Sequence, residues 1–272
     1  MYTIKNKALY INTNVNIQYI DIYKIALFLS SSEIQLSMHS INILQKIPFE
    51  EIQIEEIKKL LIKALDEKYP YRFFQCLKVL NILNHFFPEI SHLIGVPQKN
   101  AYGFKYDCFD HTVNCMKQTL KHNPTKYSMW AALVHDLGKG ITDRDTLPNH
   151  YGHDKRGIIL AQKLADRFKL DLNFQIAGFL ATSMHMKAHK IMIIRPGKLI
   201  SLLNEINKFP GGISQYFAFL KGDGARNIDL SFALAMYSFI RNIEKKYERD
   251  KLCQQVSFEK QRIQSYRGMK WN

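Results

Sequence analysis

The sequence predicts an all-α protein, and three observations carry that expectation. Apolar residues recur at spacings of three and four almost throughout, strand-like alternation is scarce, and prolines and glycines cut the pattern into segments of helical length. In chain order, Tyr10 to Ile17 (YINTNVNI) alternates and is the one short extended segment expected. Ile54, Ile57, Leu61 and Leu65 mark one amphipathic helix, and Phe73, Cys76, Leu80 and Leu83 mark another. Ile94 to Tyr106, with Pro97 and Gly103, reads as the main connector, dividing a helical region over residues 1–95 from a second unit over 96–240. A final long helix is expected from about Asp229 to Arg249, with residues 241–272 forming a basic helix end and tail. There Lys260, Arg262, Arg267 and Lys270 alternate with Phe258, Tyr266 and Trp271. Such a tail suits RNA, with cations on phosphates and rings stacked on bases, or is simply solvated.

A 272-residue chain that is 46% hydrophobic can bury a sizeable core. Thirty-eight Lys and Arg against 24 Asp and Glu leave a net charge of +14, which favours polyanionic partners such as RNA, nucleotides or phosphorylated substrates. An AT-rich coding sequence produces the same bias without such a partner. Four cysteines without a CxxC pair argue against a structural zinc site or a disulfide framework, and fit a reducing cytoplasm. The N-terminal residues lack the apolar core of a signal peptide, and stretches such as Phe232 to Ile240 are too short to span a bilayer. A soluble protein with no membrane partner is therefore expected.

The sharpest chemical signal is Ala131-Ala132-Leu133-Val134-His135-Asp136-Leu137-Gly138-Lys139-Gly140, where an apolar helix delivers His, Asp and Lys just before a glycine break. Lys139 follows His135 by four residues and Asp136 by three, so a helical turn would set its ammonium beside both. Imidazole and carboxylate together suit a divalent transition metal, with the lysine free for a phosphate oxygen. An isolated doublet would read instead as a His-Asp hydrogen bond at a helix end. This one has company. His111 sits near the start of a helix containing Val113, Met116 and Leu120, and His150 and His153 lie in a loop leading into a helix with Ala161, Leu164, Ala165 and Phe168. His185 and His189 are at i and i+4, on one helical face. Asp223 interrupts a pattern as apolar as Tyr216 to Leu220, where a buried carboxylate wants a cation or several donors.

This order of residues resembles the HD superfamily of metal-dependent phosphohydrolases. More narrowly, Arg72 to Pro97, Asp110-His111-Thr112, Leu133 to Gly140, Leu147 to Gly157 and Gly222-Asp223 to Arg226 are similar, in order and spacing, to the neck, body and HD domain of bacterial multifunctional CCA tRNA nucleotidyltransferases. The resemblance covers roughly residues 20 to 230. It implies an HD-domain helical bundle over 96–240, preceded by a smaller helical region. It also implies hydrolysis of 2′,3′-cyclic phosphodiesters, 2′-nucleotides or phosphomonoesters with nickel, cobalt, manganese or magnesium. The partner implied is a nucleotide or an RNA 3′ end, with tRNA as one candidate. The family's polymerising head, a glycine-rich strand-turn with two carboxylates, should precede the neck and finds no room here, so CCA addition is not expected. Asp143-Arg144-Asp145 has a two-carboxylate spacing but no such strand and reads as a solvated loop. Asp21 to Ala26 corresponds to the start of the neck without its arginines.

The expected ligand set is His111, His135, Asp136 and Asp223 around one metal, with Lys139 and a further histidine orienting phosphate. His153 and His185 either serve catalysis directly or complete a second metal site; His153 is preferred to His150 for its Gly-His-Asp setting. His150, His189 and Arg226 are the outlying candidates. Nitrogen-rich ligation favours manganese, iron, nickel or cobalt over magnesium alone. Two other readings stand beside this one: a non-catalytic RNA-binding subunit or partner of a separate nucleotidyltransferase, and an HD enzyme acting on free nucleotides.

Overall fold

Helix boundaries follow the breakers, and the computed structural model of the chain is all-α apart from one small sheet. It describes residues 1–12, 14–98, 107–224 and 228–268, the side chains of 266–268 excepted. Strands β1 (Tyr2–Lys5) and β2 (Ala8–Ile11) form a hairpin whose turn residues, Asn6 and Lys7, have φ of 49° and 60°. Two consecutive left-handed residues give the turn whose twist matches an antiparallel pair. The extended segment expected over 10–17 is corrected here. Of the described residues in it, only Tyr10 and Ile11 belong to a strand, and the ladder ends where Ile11 meets Tyr2.

Helix α1 (Tyr19–Ser31) packs on α3 (Ile54–Leu65) and α4 (Tyr71–Val79). Between them run β3 (Gln35–Leu36), which pairs with β2, and α2 (Met38–Leu44). In α3 the residues Ile57, Leu61 and Leu65 are buried, as their spacing predicts. The second expected helix is cut in two. It stops at Val79, Asn81 turns left-handed at φ 58°, and α5 (Leu83–Phe86) and α6 (Pro88–Ser91) follow. Asparagine tolerates that conformation and so closes a helix end.

In the rest of the chain α8 (Lys126–Val134), buried from Ser128 to Val134, has α7 (Cys108–Thr119), α10 (Leu172–Ala188) and α12 (Gly212–Gly222) packed around it. A helix apolar on every side needs such neighbours. Helix α9 (His153–Arg167) lies against α10 and against the 3-10 turn Leu137–Ile141 that follows α8. Helix α11 (Pro196–Ile206) packs on α10, α12 and α13 (Leu230–Ile243), and α14 (Arg249–Gly268) packs on α11 and α13.

The C-terminal expectation is corrected too: the single helix to Arg249 is α13, ending at Ile243, and the supposed tail is largely the 20-residue α14. Its apolar stripe is narrow. Leu252 and Val256 are buried, Lys260 donates to the Ile194 carbonyl and Gln264 to that of Met192. Arg262 pairs with Glu259, whereas Phe258 is exposed; Lys270 and Trp271 lie outside the described residues.

One ion pair ties the early helices to α9. Glu89 on α6 is buried and takes a two-pronged bond from Arg167, whose Nη1 lies 2.7 Å from Oε2. Replacing Arg167 with leucine leaves a carboxylate buried without its cation. A loss of about 2 to 3 kcal/mol is expected, discounted below the roughly 3 to 5 kcal/mol of a fully buried pair because the guanidinium is partly hydrated. Urea unfolding checks this, and an unchanged midpoint would contradict it.

Candidate metal centre

Five helices and a 3-10 turn deliver the site, with His153 coming from the first residue of α9. Asp107 caps α7 by accepting from the Asp110 amide, which sets His111 one turn into the helix. His135 closes α8, and Asp136 stands at the head of the 3-10 turn. His185 and His189 end α10, and Asp223 ends α12. Two glycines allow the elements to approach. A Cβ on Gly222 would stand 1.9 Å from Thr119 Oγ1, and one on Gly138 would stand 2.0 Å from the His153 carbonyl oxygen. Both distances are far inside van der Waals separation, so α12 meets α7, and the turn meets α9, only over a bare backbone.

Four of the expected residues, His111, His135, Asp136 and Asp223, are brought together. His111 Nε2 lies 3.3 Å from Asp136 Oδ2 and 3.1 Å from Asp223 Oδ1, and His135 Nε2 lies 3.1 Å from each of the same two oxygens. Donors about 2.1 Å from a common ion at roughly tetrahedral or right angles are separated by about 3.0 to 3.4 Å. These four atoms fit that spacing. His135 Nε2 is fully buried and makes no hydrogen bond, although two carboxylate oxygens are close.

Asp136 turns its other oxygen to a second group. Oδ1 lies 3.4 Å from His153 Nε2 and 3.6 Å from His185 Nε2, and it too is buried without a hydrogen bond. His153 and His185 present their Nε2 atoms to each other at 3.2 Å. Their other ring nitrogens are committed to backbone carbonyls: His153 Nδ1 to His150 O at 2.8 Å, and His185 Nδ1 to Ala181 O at 2.8 Å. His135 does the same, with Nδ1 3.0 Å from Ala132 O. An Nδ1–H donating to a carbonyl leaves the Nε2 lone pair for a ligand. Two such lone pairs facing each other beside a carboxylate call for a cation, so the donor chemistry fits a divalent ion.

Charge and burial set the protonation. Burial alone would depress His135, but the charges of Asp136 and Asp223 raise it to about 10. Burial also opposes His111, which its hydrogen bonds to Asp136 and Asp223 nevertheless hold above the usual value. Both carboxylates would be raised by burial, yet His135 and the other cations around them hold them well below the usual range. His185 is pushed down to about 4, chiefly by burial.

The remaining expected residues divide. Lys139 donates to Asp136 Oδ2 at 2.5 Å and to Gln98 Oε1 at 3.1 Å. The ammonium therefore sits beside Asp136, whose Oδ2 also lies 3.1 Å from His135 Nε2, in the 3-10 turn that follows α8. His189 joins the site, its Nε2 2.7 Å from Asp223 Oδ2. His150 does not: its ring bonds Thr142 and the Pro97 carbonyl, and only its own carbonyl reaches the site, through His153. Arg226 lies outside the described residues. Asp143 and Asp145 are exposed, with Asp143 merely capping the short 3-10 turn Arg144–Thr146. Gln98 was not anticipated, and nothing around it in the sequence marks it.

No family model matches the chain. Among curated proteins it is similar to the "Multifunctional CCA protein" of Nitrosococcus oceani, 34% identical over 171 residues, which is 62% of this chain and 42% of that one. The protein of the same name from Acinetobacter baylyi is 34% identical over 180 residues, 66% of this chain and 43% of its own length. That of Acinetobacter baumannii is 36% identical over 153 residues, 56% and 37%. The chain thus spans about two fifths of the length of the relatives it matches. None of the described helices is long and apolar enough to cross a membrane.

Proposed function

We propose that the chain is an HD-type phosphohydrolase that uses a divalent metal on 2′,3′-cyclic phosphodiesters, 2′-nucleotides or phosphomonoesters, at RNA 3′ ends or on nucleotides. The observation that carries this reading is the facing pair His153 and His185, with both Nε2 lone pairs directed at Asp136 next to the four-donor set. His111, His135, Asp136 and Asp223 would hold one ion, and Asp136, His153 and His185 a second. Such an ion, when bound, supplies Lewis acidity that makes water nucleophilic at neutral pH and offsets charge on phosphoryl oxygens. Lys139 donates to a phosphate oxygen from the floor of the site. His189, partly open to solvent and outside both donor sets, is the imidazole left to give a leaving oxygen its proton. Manganese, iron, nickel or cobalt suits this nitrogen-rich set better than magnesium. The relatives' name, "Multifunctional CCA protein", taken with the sequence resemblance, supports a task at the CCA end of tRNA, and cytoplasmic work in the same process is part of the proposal.

The test is a panel in which chelated protein receives each divalent ion in turn and is assayed on 2′,3′-cyclic nucleotides, 2′-nucleotides and an artificial phosphomonoester. Hydrolysis that appears with the ion supports the reading. Tight ion binding without turnover on any substrate would favour the non-catalytic RNA-binding alternative. The same preparation is expected to add no labelled CTP to tRNA lacking its CCA end, and incorporation would refute that part.

Ion binding should release protons. The raised His135 imidazole holds its Nε2 proton at pH 7, and a ligand nitrogen must give it up. Affinity should therefore climb about tenfold per pH unit between neutrality and pH 10 for one displaced proton. Calorimetry in buffers of differing ionisation heat counts the protons, and none released at pH 7 contradicts the assignment. In chelated protein, the stability due to His135 is present below about pH 6.5 and is lost as pH rises towards 10. That due to neutral His185 is present above about 6.5 and is lost as pH falls towards 4. Melting should peak between these limits.

A further inference from the structure

Helix α10 has a second functional face. His185 and His189 point into the metal centre, and at 3.6 residues per turn Met186 and Lys187 are turned roughly 100° and 200° from His185. They line a groove of about 760 Å³ bounded by the end of α10, by α11 and by the first residue of α14. Five cations stand along it: Lys187, Lys190, Arg195, Lys198 and Arg249. All five are exposed, and none pairs with a carboxylate among the described residues. The one acid on the wall, Glu205, is already paired with Lys208 at 2.8 Å. Met184, Met186, Ile194 and Leu202 supply an apolar floor. The N-termini of α11 and α14 open on the same space and add partial positive charge.

Solvated lysines near the end of α10 could simply answer its dipole, but that accounts for Lys187 and Lys190 alone. Arg195, Lys198 and Arg249 lie at helix N-termini, where cations are unfavourable unless an anion is present.

We propose that this groove is a docking site for single-stranded RNA, with the backbone held on the cations and bases laid on the apolar floor. A polymer with an anion and a flat apolar face at every repeat matches the whole groove, whereas a free nucleotide engages only part of it. The groove does not open on the metal centre; a helix diameter of about 10 to 12 Å lies between. Only a strand that rounds the C-terminal end of α10 occupies both. That last point rests on the hydrolase reading, while the docking itself does not.

The experiment compares the parent chain with K187E/K198E/R249E and with the corresponding triple glutamine variant. The binding probe is a fluorescent oligoadenylate over a series of salt concentrations, in the presence of chelator. The charge reversal is expected to weaken binding at least about tenfold, and the slope of log affinity against log salt to fall by about two, at roughly 0.7 for each phosphate no longer neutralised. The glutamine variant should fall between the two. Hydrolysis of a 2′,3′-cyclic mononucleotide should be unchanged, whereas an RNA ending in a cyclic phosphate should show a higher KM at similar kcat. Equal affinity and slope in parent and variants would overturn the proposal. So would a parent that binds acidic peptide or anionic vesicles but not the oligonucleotide. If no substrate is hydrolysed by any protein, the hydrolase reading fails and the binding series still decides the groove.

Discussion

Asp136→Asn is expected to abolish metal retention and to lower hydrolysis by at least about 10²- to 10³-fold, the cost of deleting one preorganised electrostatic partner of a transition state. The reasoning is local. Each oxygen of Asp136 faces its own set of groups, Oδ2 facing His111, His135 and Lys139, and Oδ1, which makes no hydrogen bond, facing His153 and His185. Asparagine keeps the shape but removes the charge and replaces one acceptor with a donor that faces imidazole nitrogens. Helical content should persist, since α8 is held by Met129 to Val134 rather than by the doublet. Metal analysis, circular dichroism and turnover on one preparation of D136N read all three. Wild-type metal content with wild-type turnover would end the assignment of this centre.

Lys139→Met is the second large effect, and it separates hydrolysis from ion binding. Methionine keeps most of the aliphatic stem while deleting the ammonium that lies against Asp136 and Gln98. If the ammonium meets a phosphate oxygen during turnover, kcat should fall about 10²- to 10³-fold. The four donor atoms are untouched, so metal content should hold. Chelated K139M should melt below chelated parent, because burial of Asp136 loses a cation, and the gap should close on adding the ion. Near-parental turnover would show that Lys139 serves only as a counter-ion to Asp136 and would remove it from the phosphate-binding role.

Much of the centre was legible because its residues break their own surroundings. His135-Asp136 ends a run of buried apolar residues, and Asp223 ends another, so polar chemistry stands out against α8 and α12. His185 and His189 were legible as a pair because helical spacing alone puts them on one face. Other features carry no such contrast. Gln98 follows a proline in the connector and acquires meaning only when the 3-10 turn brings Lys139 to it. The need for glycine at 222 comes from Thr119 and the Cys115 carbonyl on another helix. Helix α14 was hidden because Leu252 and Val256 are spread thinly among charges, which leaves a stripe too narrow to separate from a solvated tail. The β1–β2 hairpin went unread because its turn, Asn6-Lys7, lacks the glycine that usually announces one.

The two oxygens of Asp136 face different sets of imidazoles, and on the proposed reading that makes the two ion sites thermodynamically linked. An ion on Oδ2 withdraws charge from the carboxylate and so weakens its pull on a second ion. It also fixes the carboxylate plane, which spares the second ion the cost of doing so. Whichever effect is larger, reciprocity requires the first ion to change the affinity for the second by the same factor as the second changes that for the first. A titration should then depart from two independent hyperbolas, and His153→Ala, which touches only the second set, should alter the affinity measured at the first. The sign of that coupling sets how the centre answers metal supply: a favourable one fills both sites over a narrower range of ion concentration than independent sites would, and an unfavourable one spreads the filling out.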